Sequence, residues 1–257
     1  MTTHALKDLI NMTRALGEPA MDYVIIGEGN TSMRIDEDSF YVKASGHQMH
    51  NISEDGFVAV RLAPMLAMLD DPPQTLTEQK ALTNAAKLDA ADLRSPSIEV
   101  SFHAMLLHDC DVRFIGHTHP TAINQILCSE HASDFAAKRR FPDEVVLCGP
   151  QSALTPYADP GLPLALKMRE RVREYMAQYD EAPKLILLEN HGMIALGDSP
   201  AEILNITAMA VKAARIHLGA LLTGAPAYLP DEEVWHLYRR PDEIYRRNLF
   251  VHNRTNS

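Results

Sequence analysis

Apolar residues recur at helical spacing over residues 5–16, where Leu6, Leu9, Ile10 and Thr13 share a face, and the run stops at Gly17 with Pro19 beyond. That pattern predicts a helix with a glycine exit. Short extended stretches follow at 23–26, 31–35 and 39–43, separated by the turn formers Gly27-Glu28-Gly29-Asn30 and Asp36-Glu37-Asp38. They predict an antiparallel meander. Residues 63–69 and 78–88 read as short helices around the break at Asp70-Asp71-Pro72-Pro73. Ser95-Pro96 predicts the next helix start, with serine as N-cap and proline in the first turn, running to about His108 and burying Ile98, Phe102, Met105 and Leu106.

A strand over 113–117, a helix over 122–128 and a strand over 145–148 come next. A strongly amphipathic helix spans 162–179, two strands cover 184–188 and 193–196, and a long helix runs over 200–222 with small residues at Ala208, Ala210, Ala213 and Ala214. The stretch 231–248 is charged, with Trp235, Tyr238 and Tyr245 interspersed. Mixed helices and strands that open with a meander predict a single three-layer α/β/α sandwich around a largely antiparallel central sheet. One domain is expected over 1–257, with 226–257 a tail engaged in subunit contacts.

Composition narrows the partners. The chain has 257 residues, 46% apolar and 23% charged, which suits a sizeable core. No continuous apolar run of about 18 residues is present, and the start Met1-Thr2-Thr3-His4 lacks a signal pattern, so a cytoplasmic location without membrane contact is expected. A net charge of −10 argues against nucleic-acid binding and requires any anionic ligand to be held by a local pocket. Three cysteines without a Cys-x-x-Cys spacing argue against a disulfide framework.

Candidate chemistry centres on histidine. His117-Thr118-His119 lies at a predicted strand end, where residues two apart face the same way and offer both rings to one point. His191, after the second predicted strand, can add a third nitrogen and leave one position open, as in a catalytic zinc site. Three imidazoles also accept manganese or cobalt. Glu99 sits near a helix start within an apolar stretch, so it faces away from open solvent and can serve as general acid/base beside a metal. His103, one turn later on the same face, reads as a packed core histidine, with a supporting partner to the metal site as the alternative. Three turn segments offer backbone N–H groups or hydroxyls to an anion: Gly29-Asn30, Ser45-Gly46, and Ser97 at the helix start. The first is no dinucleotide fingerprint, because Ser32 replaces the third glycine and a strand follows.

Taken in order, Gly29-Asn30-Thr31-Ser32-Met33-Arg34, Lys43-Ala44-Ser45-Gly46, Pro96-Ser97-Ile98-Glu99, His117-Thr118-His119 and Asn190-His191-Gly192-Met193-Ile194 resemble the class II aldolase/adducin family across residues 5–225. The resemblance implies an α/β/α sandwich, a fourfold tetramer and a divalent metal, zinc first, on His117, His119 and His191. It matches Glu99 to the catalytic glutamate and Gly29, Asn30, Ser45, Gly46 and Ser97 to the phosphate-binding segments. The implied reaction is aldol cleavage of a sugar or sugar phosphate to a dihydroxyacetone-type fragment and an aldehyde, through a metal-stabilised enediolate. The alternative is decarboxylation of a 3-oxo sugar acid by the same chemistry. A 4-epimerase, a dehydratase and an adducin-like interaction protein rank below both. Two departures stand out. Ile98 replaces the second serine of the family's Ser-Ser-Glu, so a phosphate is held differently, with Lys43, or the substrate lacks one. No tyrosine matches the family's proton donor from a neighbouring subunit; Tyr228, Tyr238 and Tyr245 are the candidates.

Overall fold

The structure, a computed structural model, describes residues 4–252; the last five positions of the expected tail, 253–257, lie outside the described residues. In chain order, α1 (His4–Leu16) precedes β1 (Asn30–Arg34), β2 (Ser39–Lys43) and β3 (Phe57–Arg61). Then come α2 (Leu62–Asp70), α3 (Leu76–Ala85), α4 (Val100–Asp109) and β4 (Phe114–Thr118). Next are α5 (Thr121–Leu127), α6 (Ala132–Ala137), α7 (Pro142–Cys148), β5 (Ala153–Thr155) and α8 (Leu162–Tyr179). The chain continues through β6 (Leu185–Leu188), β7 (Gly192–Gly197), α9 (Pro200–Thr223), α10 (Asp231–Arg239) and α11 (Pro241–His252).

Seven strands form one sheet in the order β3-β2-β1-β4-β7-β6-β5. Every neighbouring pair is antiparallel except β5 with β6. The alternation along the central strands divides the apolar residues between two cores. Phe114, Leu185, Leu187, Met193 and Ala195 face α1, α5 and α9, while Ile115, Ile186, Leu188, Ile194 and Leu196 face α2, α4 and α8. Each such aliphatic side chain withdrawn from water contributes about 1.5–3 kcal/mol. Two cores on opposite faces of one sheet make the three layers expected from the pattern.

Several local expectations change. Residues 145–148 are helical, within α7, because Pro142 and the acidic pair Asp143 and Glu144 form a favourable first turn ahead of the apolar run. Residues 23–26 form no strand: Ile26 has φ 53°, a left-handed turn that ends any extended ladder. Helix α4 starts at Val100 rather than at Ser95-Pro96, because Ala44 and Pro96 pair as an isolated bridge and hold that segment extended. Ile98 is consequently 65% exposed instead of buried. Helix α9 is long and apolar enough to cross a membrane by length and composition alone; here it packs on α1, α5, α7 and β7.

Candidate metal centre

One end of the sheet gathers the candidate residues. Strand pairing sets Asn30 opposite His117, Thr118 opposite Met193, and Leu188 opposite Gly192. The start of β1, the end of β4, the end of β6 and the start of β7 therefore meet at one place. His119 lies one residue past β4 but stays extended, its N–H donating to the Tyr23 carbonyl at 2.9 Å. The two-residue periodicity holds, and His119 Nε2 lies 3.0 Å from His117 Nε2. His191 arrives on the tight connection from β6 to β7, where Asn190 takes the left-handed conformation (φ 55°) that its short polar side chain tolerates. Asn124 Nδ2 donates to the His191 carbonyl at 3.0 Å and holds that turn against α5.

The three rings offer nitrogens that all lie within 4.8 Å of one another. Two imidazole nitrogens on one tetrahedral zinc stand about 3.3 Å apart, given bonds of about 2.0–2.1 Å. The spacing thus fits a divalent ion. Hydrogen bonding points the same way. His117 Nδ1 faces the Met193 carbonyl at 2.9 Å, and a carbonyl only accepts, so the neutral ring carries its proton there and leaves Nε2 bare. Burial pushes the His117 pKa down to about 3 and that of His119 to about 2, and lowers His191 as well. All three are neutral imidazoles with lone pairs to give.

Glu99 stands at the N-cap of α4, 5% exposed, and its carboxylate spans the triad. Oε2 lies 3.5 Å from His117 Nε2 and Oε1 lies 3.4 Å from His191 Nε2. Burial raises its pKa, opposed by His191, by the hydrogen bond from Asn30 and by Lys43. Oε2 accepts from Asn30 Nδ2 at 2.7 Å, whereas Oε1 is buried with no hydrogen-bond partner. An orphaned carboxylate oxygen beside three neutral imidazoles is the arrangement a cation completes.

The anion segments also converge. Asn30 Nδ2 reaches Ser97 Oγ at 3.0 Å; Ser97 N–H donates to the Lys43 carbonyl at 3.0 Å; Ser45 Oγ donates to the Pro96 carbonyl at 3.0 Å. Gly29 has φ 68°, and a Cβ there would come within 2.7 Å of the His117 carbonyl oxygen. Gly46 follows Ser45 in its turn, also with positive φ. Ser45 spends its hydroxyl proton on the Pro96 carbonyl and its N–H on the Ser95 carbonyl at 2.9 Å, so both donors are engaged with the backbone here. Lys43 is 3% exposed and donates to the His47 carbonyl at 2.6 Å. Of the candidate tyrosines, Tyr238 donates to Glu181 Oε2 at 3.0 Å, Tyr228 lies under the Lys138 ammonium, and Tyr245 is 66% exposed.

Two further residues reach the site, His103 by the less favoured of its two expected roles and Glu28 unexpectedly. His103 is fully buried, but it contacts Asn30 and Ser32 by hydrogen bonds rather than only filling the core. Its spacing of one helical turn from Glu99 was the available signal. Glu28 Oε1 comes within 3.9 Å of His119 Nδ1.

Gly192 tests the construction of the site. A Cβ on it would sit 2.6 Å from the Thr118 carbonyl oxygen and 2.7 Å from His119 Cδ2. Gly192→Ala is expected to displace His119, cost about 1–3 kcal/mol of stability and weaken metal binding. Calorimetric titration of metal into the variant and thermal melts check this; unchanged affinity would show that His119 is not a ligand.

The family described as Class II Aldolase and Adducin N-terminal domain matches residues 7–218. A 3-oxo-tetronate 4-phosphate decarboxylase of Haemophilus influenzae is 25% identical over 242 residues, 93% of this chain and 99% of that protein. An uncharacterized oxidoreductase of Bacillus subtilis, YuxG, is 26% identical over 181 residues, 67% of this chain but only 24% of its own length. Among solved structures, an L-fuculose 1-phosphate aldolase superposes with a TM-score of 0.69 at 20% identity, covering 93% of this chain and 96% of that one. The N-terminal class II aldolase domain of a Thermoplasma acidophilum protein gives 0.67 at 23% identity, covering 85% and 95%. With the family matched over most of its length, and with the seven-stranded sandwich and the histidine cluster in place, the chain belongs to the class II aldolase and adducin N-terminal domain family.

Proposed function

We propose that the protein is a metal-dependent carbon–carbon lyase that cleaves a sugar or sugar phosphate next to its ketone. The observation that carries this reading is the Glu99 carboxylate, buried and facing His117 and His191 with one oxygen unpartnered. When bound at His117, His119 and His191, a divalent ion, zinc first, supplies a Lewis acid that polarises a hydroxy-ketone and offsets the charge of an enediolate. Glu99 moves the proton at the carbon whose bond breaks. In aldol cleavage the hydroxyl proton on the departing aldehyde carbon passes to the Glu99 carboxylate as the C–C electrons move onto the enediolate, and Glu99 then returns that proton to carbon. Asn30 keeps the carboxylate in place, and Gly29, Ser45, Gly46 and Ser97 form the wall suited to an anionic substituent.

Decarboxylation of a 3-oxo sugar acid is the second reading, favoured by the near full-length likeness to the Haemophilus decarboxylase. There the carboxylate leaves as carbon dioxide and Glu99 protonates the same enediolate. The proposal includes a fourfold assembly, with the tail in subunit contacts and a cytoplasmic location. Metal-loaded protein incubated with ketose phosphates and with 3-oxo acid phosphates tests the reaction by product identification. An aldehyde with a triose fragment supports aldol cleavage, and carbon dioxide without an aldehyde supports decarboxylation. No product from either set, with metal bound, overturns the lyase reading.

A further inference from the structure

A buried chain of hydrogen bonds runs from β1 through α4 to the Glu99 carboxylate. Ser32 Oγ meets His103 Nδ1 at 2.7 Å, His103 Nε2 meets Asn30 Oδ1 at 2.5 Å, and Asn30 Nδ2 reaches Glu99 Oε2 at 2.7 Å. Ser32 and His103 are fully buried, and Asn30 and Glu99 are 5% exposed, so water does not compete for these groups. The Glu99 carboxylate only accepts, so the Asn30 NH2 faces it and the amide oxygen faces His103. An amide oxygen only accepts, so His103 Nε2 must carry the proton. The buried ring is neutral, which leaves Nδ1 with a lone pair and makes the Ser32 hydroxyl its donor. Phe102, stacked on the ring at a centroid distance of 4.6 Å, fixes its plane.

The consequence falls on Asn30. Its amide can sit either way round by shape alone. Flipped, the oxygen would face the Glu99 carboxylate and the NH2 would face the His103 N–H, two repulsive contacts in a buried place. The Glu99 acceptor on one side and the His103 donor on the other therefore hold the amide one way round, with Nδ2 serving both Glu99 Oε2 and Ser97 Oγ. Glu99 becomes asymmetric: Oε2 is tethered, while Oε1, with no hydrogen-bond partner, stands 3.4 Å from His191 Nε2.

We propose that His103 is a positioning residue, an Nε2–H donor that locks the Asn30 amide and so leaves Glu99 Oε1 as the oxygen that exchanges protons with substrate. This rests on the lyase reading for its kinetic arm only. Ring-nitrogen NMR on histidine-labelled, unmodified protein is expected to show His103 protonated at Nε2 and bare at Nδ1. Metal-loaded His103→Leu is expected to lose about 10–100-fold in kcat with KM within about threefold and metal stoichiometry unchanged, the range usual for groups that orient a reacting residue. His103→Gln, which keeps an N–H for Asn30, is expected to recover part of that loss. Ser32→Ala, a milder change should the leucine variant fail to fold, is expected to fall between the two. A bare Nε2 overturns the proposal, as does kcat in Ser32→Ala and a folded His103 variant within threefold of the unmodified enzyme. If no substrate turns over at all, the lyase reading fails, and the ring tautomer still decides this one.

Discussion

Replacing Glu99 with glutamine is expected to lower kcat by about 10²–10⁴-fold, the usual contribution of a positioned acid/base, while bound metal stays in place. The substitution keeps length and shape. Its amide oxygen can still accept from Asn30 Nδ2, so the tether that measures 2.7 Å in the unmodified protein survives. What disappears is a group able to take up and release a proton beside the three imidazoles. Because the proposed ligating nitrogens belong to His117, His119 and His191, the metal content is expected to remain one ion per chain. The loss should fall on kcat with little change in KM, since it removes an interaction needed only as charge develops on carbon. In free-energy terms the range corresponds to about 3–5 kcal/mol of barrier. Metal analysis alongside steady-state kinetics reads both quantities. Turnover within tenfold of the unmodified protein, with metal bound, would remove Glu99 from the chemistry.

How much of this was legible beforehand depended on the range over which each signal acts. His117 and His119 could be paired from sequence because strand periodicity is a local property, and it survives one residue beyond the end of β4. The site wall was readable as three separate turns. Their joining was not, because it depends on the bridge from Ala44 to Pro96 and the bond from Asn30 to Ser97, contacts between distant parts of the chain. Residues 145–148 depart from the expected strand for a definable reason. A four-residue apolar run fits a strand or one turn of helix equally well, and the deciding cues, Pro142, Asp143 and Glu144, precede it. The helix does not start at Ser95-Pro96 because the bridge from Pro96 to Ala44, just beyond β2, outweighs a local capping preference. His103 shows the limit most plainly. Burial was deducible from its apolar neighbours, but its two hydrogen bonds need β1 to lie alongside α4, which is a property of the layers.

Removing a ligand should produce the largest change of all. His117→Ala is expected to lower affinity for a divalent ion by more than about 100-fold, beyond what loss of an orienting neighbour alone costs, and to abolish turnover. Among the three rings His117 is the most enclosed, fully buried and anchored through Nδ1 to the Met193 carbonyl, so it is the nitrogen held most firmly in place. Binding should also stabilise the fold, because Glu99 Oε1 has no hydrogen-bond partner among the described residues and the three neutral imidazoles crowd against one another. An ion present at 100 times its dissociation constant adds about 2.7 kcal/mol to unfolding. The unmodified protein, stripped by a chelator, should therefore lose turnover and melt earlier, and recover both when zinc, manganese or cobalt is returned. His117→Ala should show neither the loss on chelation nor the recovery, because it holds no ion to begin with. A variant that still takes up one ion per chain with unchanged affinity would place the metal elsewhere. A stripped native protein that keeps full turnover would separate the histidine cluster from the reaction altogether, leaving Glu99 to act without the cation that its geometry invites.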